Sequence, residues 1–300
     1  MAGYIGSRAV SVNTTSATIT DDLTIGDDLT VTDDMTVGGA LAVTGDYSST
    51  TSGTSNLRLG VNAGNSIASG GNYNVVLGDE AGTALTTGDN NVAIGYQALS
   101  TEDANGNSTA VGYRSLKVQN AGAESYNVAV GMDSGLAVTT GIKNTLVGSF
   151  VGKAITSGGE NTAFGYAALT TDTLGSHNTA IGRSALEAQN FTTATDANNT
   201  AVGHLAGAAI TTGISNTLVG SLAGDALTDA DFNVVMGLGS LSADTLGSKS
   251  VAIGTAALQA QNFTTATDTY NTAVGHNAGN DVTTGIQNTL IGGLAGDALT

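Results

Sequence analysis

A five-residue motif recurs fourteen times from Asn56 onward and dominates this chain of 300 residues. The motif is Asn-[Thr/Val]-[small or aliphatic]-[aliphatic]-Gly, with Ser108 and Ser250 replacing the leading Asn. Its closing glycines lie mostly 17 residues apart, with spacings of 18, 19 or 21 at four places. A fixed period of this kind is typical of solenoids, in which each coil is stabilised mainly by its neighbours. The sequence therefore predicts an all-β, elongated parallel β-solenoid or β-roll of about 14 coils over residues 56–300.

Each motif has the pattern of a short strand that is apolar on both faces. Positions two and four point to one side of a strand and position three to the other. All three positions are mostly apolar or Thr, and Arg58 is the exception at position three. A strand that is apolar on both faces is covered on both faces. One cover is the interior of its own coil, and we expect the other to be a neighbouring copy of the chain, so the pattern predicts a bundle of identical chains.

The residues around the motif alternate between two types of coil. The closing Gly predicts a tight corner, and the Asn predicts either a hydrogen-bonded side-chain ladder or a left-handed corner residue. The fourth residue after each closing Gly is Gly or Leu, in the order Gly, Gly, Leu, Leu. Gly-type coils place an aliphatic residue three positions further on. Four coils form a super-repeat of 72 residues, as the recurrence of Asn144–Gly148 at 216–220 and 288–292 indicates.

The first 55 residues have a different organisation. Residues 1–20 form a head of mixed character, and residues 21–44 follow a six-residue period with Asp pairs at 21–22, 27–28 and 33–34. We interpret residues 21–55 as a hexad-repeat fibrous stem and linker, in which several chains wind together because one hexad strand buries too little alone. The Asp pairs could hold Ca²⁺ around a trimer axis, but solvated turns are the favoured interpretation.

Composition excludes several function classes. The net charge of −17 disfavours nucleic acid and anionic membrane surfaces. There is no Cys for a thiolate zinc site and no run of 18 apolar residues, nor a start resembling a secretory signal. His177, His204 and His276 are interpreted as exposed turn residues, and no catalytic, metal or cofactor set stands out. We therefore predict that the protein is not an enzyme and needs no cofactor.

The uneven spacings place insertions at residues 117–126, 187–198 and 259–270. The last two share Ala-Gln-Asn-Phe-Thr-Thr-Ala-Thr-Asp, and we expect them to protrude about 19 Å apart, four coils from each other. Loops on a solenoid commonly carry its variable function. The candidate receptor-contact residues are Phe191, Asp196, Phe263 and Asp268. The alternative for each Phe is that it folds back and caps its loop against the coil.

The motif resembles the head repeat of trimeric autotransporter adhesins, most closely at 91–95 and 250–254 (Asn/Ser-Val-Ala-Ile-Gly). The whole chain is more similar to tail fibres of tailed bacteriophages, especially marine, cyanophage-like ones. The similarity rests on the Met-Ala-Gly-Tyr-Ile-Gly-Ser start at 1–7, the Leu-Thr-Val-type hexads at 23–37, and Asn-Thr-Ala-Ile-Gly at 178–182.

The phage resemblance implies a homotrimeric virion fibre. Residues 1–20, with Tyr4, Ile5 and Arg8 as candidate contacts, would attach to a tail adaptor, nozzle or other virion protein. The distal array would meet a host receptor, either glycan or protein. A self-cleaving C-terminal chaperone often follows such arrays, so cleavage or truncation at Thr300 is expected. The alternatives are a trimeric bacterial surface adhesin, a phage head fibre or decoration protein, and a polysaccharide-degrading spike with paired carboxylates.

Overall fold

The computed structural model describes residues 52–299. These residues form a continuous stack of short coils with eighteen β-strands and no helix. The head, the hexads with their Asp pairs, and most of the linker lie outside the described residues. Fourteen strands carry the repeated motif and four belong to loops. The strands are β1 Leu57–Leu59, β2 Val75–Leu77, β3 Val92–Ile94, β4 Thr109–Val111, β5 Val128–Val130, β6 Thr145–Val147, β7 Thr162–Phe164, β8 Gly175–Ser176, β9 Thr179–Ile181, β10 Thr195–Asp196, β11 Thr200–Val202, β12 Thr217–Val219, β13 Val234–Met236, β14 Gly247–Ser248, β15 Val251–Ile253, β16 Thr267–Asp268, β17 Thr272–Val274 and β18 Thr289–Ile291.

The fourteen motif strands form one parallel sheet in chain order. Each strand pairs with the motif strand of the next coil, and equivalent positions face each other, as in Thr179↔Thr200 and Ala180↔Ala201. The register holds across every insertion, because the extra residues leave the sheet before the next motif begins. The all-β parallel solenoid of about 14 coils is therefore confirmed, and its rungs span about 65 Å.

The middle residue of each motif strand points into the coil. It is fully buried in the twelve strands from Val76 to Ala273. It is Ala in eight of these twelve strands, which explains the low content of large apolar residues, since a thin coil leaves little room for them. Positions two and four point outward, so the two-faced apolar pattern divides into a closed inner face and an open outer one.

The closing glycines sit at corners that no other residue fits. All fourteen have φ between +122° and +143°, a region that is essentially restricted to glycine. At Gly203, a Cβ would lie 2.3 Å from the carbonyl oxygen of Gly220 in the next coil. The corner therefore needs glycine for its dihedral angle and also for the stacking distance.

The motif asparagines form a buried ladder along the array. The Oδ1 of Asn161 accepts from the backbone N–H of Asn178 at 3.0 Å, and its Nδ2 donates to the carbonyl of Gly175 at 3.0 Å. The same two bonds recur in nearly every coil. The ladder alternative is thus confirmed, and the residue before each Asn also adopts the left-handed conformation, as His177 does with φ +61°. The ladder is interrupted after Ser108 and Ser250, which have no amide oxygen to offer.

Removing one ladder side chain tests its contribution. We expect Asn161→Ala to lower the free energy of unfolding by about 2 kcal/mol, because a buried N–H and a buried C=O lose their partners. Chemical denaturation of the purified protein measures this. Asn262→Ala, at an exposed asparagine, is the matched control and should change stability by less than about 0.5 kcal/mol. Equal effects of the two substitutions would contradict the ladder's role.

One interior slot is filled in two different ways. In Leu-type coils a leucine such as Leu186 takes the left-handed conformation, with φ +51°, and its side chain enters the core. In Gly-type coils the same position is glycine, and the aliphatic residue three positions later fills the space. A Cβ on Gly207 would lie 3.1 Å from Ile210 Cδ1 and 2.6 Å from Leu218 Cδ1. The alternation in the sequence therefore has a steric cause. Each coil has room either for the leucine or for the aliphatic residue three positions later.

Candidate binding surfaces

The outer face of the main sheet is the largest candidate surface. Position four carries an aliphatic residue, Phe or Met in all fourteen motifs, and position two carries Thr, Val or Leu. Side chains at position four are partly or largely exposed, including Phe164 and Ile181 at 38% and Met236 at 43%. None of these twenty-eight outward positions holds a charged residue, although the chain has 33 charged residues in 300 (8 basic and 25 acidic). Long exposed apolar patches on soluble proteins mark interaction surfaces.

Aromatic residues border this face on one side. Tyr96 and Tyr113 directly follow the closing glycines of adjacent coils, and their rings stack with centroids 5.5 Å apart. The guanidinium of Arg114 lies 4.8 Å from the Tyr113 ring centre and pairs with both carboxylate oxygens of Asp133, at 2.9 and 2.8 Å. That hydrogen-bonded pairing raises the pKa of Arg114 above its ordinary value. Tyr113 thus contacts both Tyr96 and Arg114, while both tyrosines remain at least 40% exposed.

Sequence reasoning missed this aromatic border. Tyr96, Tyr113 and Tyr166 all occupy the position after a closing Gly, and all three are at least 40% exposed. The periodicity could have identified the column, because residues at equal positions in successive coils lie about 4.8 Å apart.

A buried carboxylate supports the second insertion, residues 187–198. Asp172 is fully buried, and its Oδ1 accepts from the N–H of Gly175 at 3.0 Å and of Phe191 at 3.3 Å. Its Oδ2 accepts from Gln189 Nε2 at 2.6 Å, and Gln189 Oε1 accepts from Asn199 Nδ2 at 2.9 Å. The carboxylate therefore accepts three hydrogen bonds, and a fourth joins Gln189, one of its donors, to the Asn ladder.

The other two super-repeats contain related networks. Asp244 accepts from Gly247, Phe263 and Gln261 in the same arrangement. In the first super-repeat, Glu102 accepts from Gln119 at 2.9 Å and from Asn105 at 3.0 Å. These acids and glutamines stand three residues after the core leucines, where Gly-type coils place an aliphatic residue. Their burial was not predicted from the sequence, because an acid or amide between loops is usually solvated.

The two phenylalanines of the insertions fold back into the array. Phe191 and Phe263 are only 5% and 7% exposed, and their carbonyl groups accept hydrogen bonds from Thr173 and Thr245 at 2.8 Å. The structure therefore adopts the capping alternative, and the prediction of exposed aromatic anchors needs correction. The physical reason is that burying a phenylalanine ring stabilises the fold, whereas leaving it exposed to water does not.

The insertions lie along the array and do not project freely. Strand β10 pairs in parallel with β8 of the preceding coil, and β16 pairs with β14 in the same way. Between Phe and strand, the Thr-Thr-Ala tips at 192–194 and 264–266 are exposed. The expected protrusion is thus reduced to short tips, because the backbone of each insertion satisfies its hydrogen bonds on the coil below.

The two aspartates predicted to contact a receptor are on the surface. Asp196 Oδ1 lies 3.1 Å from His177 Nδ1, and Asp268 Oδ2 lies 2.5 Å from Lys249 Nζ. The hydrogen bond that Lys249 donates to Asp268, with a smaller contribution from the one it donates to Tyr270, raises the pKa of Lys249. Receptor contact through Asp196 and Asp268 stays a prediction. Virion attachment through Tyr4, Ile5 and Arg8 also stays a prediction, because these residues lie outside the described residues.

Within residues 52–299, no group of three or more His, Cys, Asp or Glu side chains is arranged to hold a metal ion. The same region contains no helix long and apolar enough to cross a membrane. His204 and His276 are exposed after closing glycines, and His204 Nε2 lies 3.1 Å from Arg183 Nη1. Comparisons of the chain with protein-family models, with curated proteins and with solved structures found no match.

Proposed function

We propose that this protein is a homotrimeric structural fibre of a virion, most specifically a phage tail fibre that attaches by its N-terminal segment and mediates adsorption to the host cell. The observation that carries the proposal is the uncharged apolar outer face of the solenoid, which continues through all fourteen motif strands. The resemblance of the head, hexads and motif to phage fibres adds the virion context. The protein acts by mechanical reach and repeated weak contacts, which raise avidity without new chemistry.

Association of identical chains explains the outer face better than a small ligand does. The face is a flat column about 65 Å long with one equivalent rung per coil, and a copy of the chain would offer a matching column. Two acidic chains approaching elsewhere would repel each other, whereas this face has no charge to desolvate. Three copies around one axis would cover it.

Sedimentation of the full chain tests the assembly. We expect a mass near three times 29.4 kDa with a high frictional ratio, as an elongated trimer requires. In the variant Ile181→Glu/Met236→Glu we expect the trimer to dissociate, because two outward side chains would carry charge into an apolar contact, at several kcal/mol per buried charge.

The matched control is Thr193→Glu/Thr265→Glu, which adds the same charge at the exposed loop tips and should remain trimeric. A compact monomer for the unmodified chain would contradict the proposal, and so would a trimer that tolerates both outward glutamates.

The alternatives are a trimeric bacterial surface adhesin and a phage head fibre or decoration protein. Gold-labelled antibodies against the array distinguish them, because label should fall on phage tails, on phage capsids or on bacterial surfaces. The proposal also treats the protein as non-enzymatic. Shortening of host capsule polysaccharide by the purified chain would instead indicate a degrading spike.

A further inference from the structure

Besides the buried network, each of the three insertions makes a surface contact with one side chain of the preceding coil. The holding residue stands just before the motif Asn or Ser, and its partner is an acid three residues before the next motif Asn. The pairs are Asn107 with Glu124, His177 with Asp196, and Lys249 with Asp268. The position is the same in each super-repeat, but the chemistry is an amide, an imidazole and an ammonium group. The three surface contacts therefore differ in their expected response to pH, because an imidazole ordinarily changes its charge between pH 5 and 8, whereas an amide or an ammonium group does not.

His177 lies between two carboxylates. Its Nδ1 is 3.1 Å from Asp196 Oδ1 in the insertion, and its Nε2 is 3.4 Å from Glu160 Oε2 in the preceding coil. Glu160 in turn pairs with Lys143 at 3.0 Å, and this hydrogen bond, together with the charge of Lys143 and, less strongly, His177, lowers the pKa of Glu160. A protonated imidazole can donate to both carboxylates, whereas a neutral imidazole has one N–H and turns a lone pair towards the other.

We propose that His177 is a pH-dependent latch for the insertion at 187–198, and that Lys249 makes the corresponding latch at 259–270 independent of pH in the same range. An imidazole ordinarily changes its charge between pH 5 and 8. The contact stabilises the attached insertion when His177 is protonated and is weakened as the pH rises. This inference concerns the loop alone and stands whether or not the protein is a virion fibre.

The other charged groups around the latch are two carboxylates and one ammonium group. Carboxylates of Asp and Glu ordinarily titrate near pH 4 and a lysine ammonium above pH 10. The groups that contact the latch directly are Asp196 and Glu160, and Lys143 contacts it through Glu160. The exposed position limits the size of the effect, because surface ion pairs are weak.

Hydrogen–deuterium exchange of the full chain tests the latch with an internal reference. The two insertions share nine identical residues, at 188–196 and 260–268, so their intrinsic exchange rates respond almost equally to pH. Peptides that include the flanking residues differ in mass and are distinguishable. We expect the ratio of exchange in the 187–198 insertion to that in the 259–270 insertion to rise about two- to fivefold from pH 5 to pH 8, as expected for a surface ion pair.

Two substitutions at one position complete the experiment. In His177→Lys, which copies Lys249, the ratio should stay at its low value throughout the range. In His177→Gln, which copies the neutral amide of the first insertion, it should stay at its high value. His204→Gln is the control and should retain the change of the unmodified chain. A constant ratio in the unmodified chain would overturn the proposal, as would a pH-dependent ratio that survives in His177→Lys or disappears in His204→Gln.

Discussion

Replacing Gly203 by alanine should lower the free energy of unfolding of the array by about 4 kcal/mol, which is among the largest effects of any single methyl group. The corner has φ +143°, where an alanine costs about 1–3 kcal/mol in backbone strain. In addition, the new Cβ would lie 2.3 Å from the carbonyl oxygen of Gly220. Neither backbone segment can move without separating two coils, so the clash adds to the strain. Chemical denaturation measures the loss.

The control for this prediction is Gly292→Ala at the last described corner. Gly292 has φ +126°, but the nearest atom to a new Cβ is Ala295 Cβ at 4.0 Å. It therefore isolates the strain of the dihedral angle and should cost only about 1–3 kcal/mol. If Gly203→Ala proved no more harmful than Gly292→Ala, close stacking would not be the reason for the repeated glycine.

Replacing Asp172 by alanine should also destabilise the array strongly, by about 3–5 kcal/mol. Three buried donors, the N–H groups of Gly175 and Phe191 and the side-chain amide of Gln189, would lose their acceptor. Each unsatisfied buried group costs about 1–3 kcal/mol. The insertion at 187–198 should lose protection from hydrogen exchange first, since Asp172 holds its first turn.

Two further variants serve as comparisons for Asp172→Ala. Asp244→Ala removes the equivalent carboxylate of the next super-repeat and should give a similar loss, with the effect transferred to the insertion at 259–270. Asp196→Ala removes an exposed aspartate of the same insertion and should cost less than about 1 kcal/mol. A small effect of Asp172→Ala, comparable to that of Asp196→Ala, would mean that the buried network contributes little to the fold.

The sequence was sufficient to predict the coils because the information is local and repeated. The motif strands and the glycine corners follow from period, side-chain type and the geometry of a parallel strand, whereas the Asn ladder was one of two alternatives. The choice of inner face was not predicted, since positions three and four are both apolar. Only the closed coil shows that small residues such as Ala180 point inward, while larger ones such as Ile181 point outward.

The burial of residues in the insertions was harder to predict, because it depends on contacts between neighbouring coils. Phe191 was expected at the surface as one alternative because it lies in a loop expected to protrude, yet a buried carboxylate holds its backbone against the coil. Asp172 itself could be mistaken for a solvated turn residue. Its burial depends on Gln189, which is seventeen residues away in sequence and stacked directly above it. Whether such a residue is buried depends on its contacts with the next coil. The spacing of the motif does not show which polar groups meet there.

The alternation of coil types restricts how an array of this kind can change its length. Three residues after the alternating Gly or Leu, successive coils carry two aliphatic residues, then an acid, then a glutamine. Loss of the coil that carries Gln189 by unequal recombination would place Asp172 under the aliphatic side chain of Ile210, where its carboxylate would have no amide to bind. Loss or gain of 72 residues would restore every pairing, and so we expect lengthening and shortening to proceed in steps of four coils, or about 19 Å.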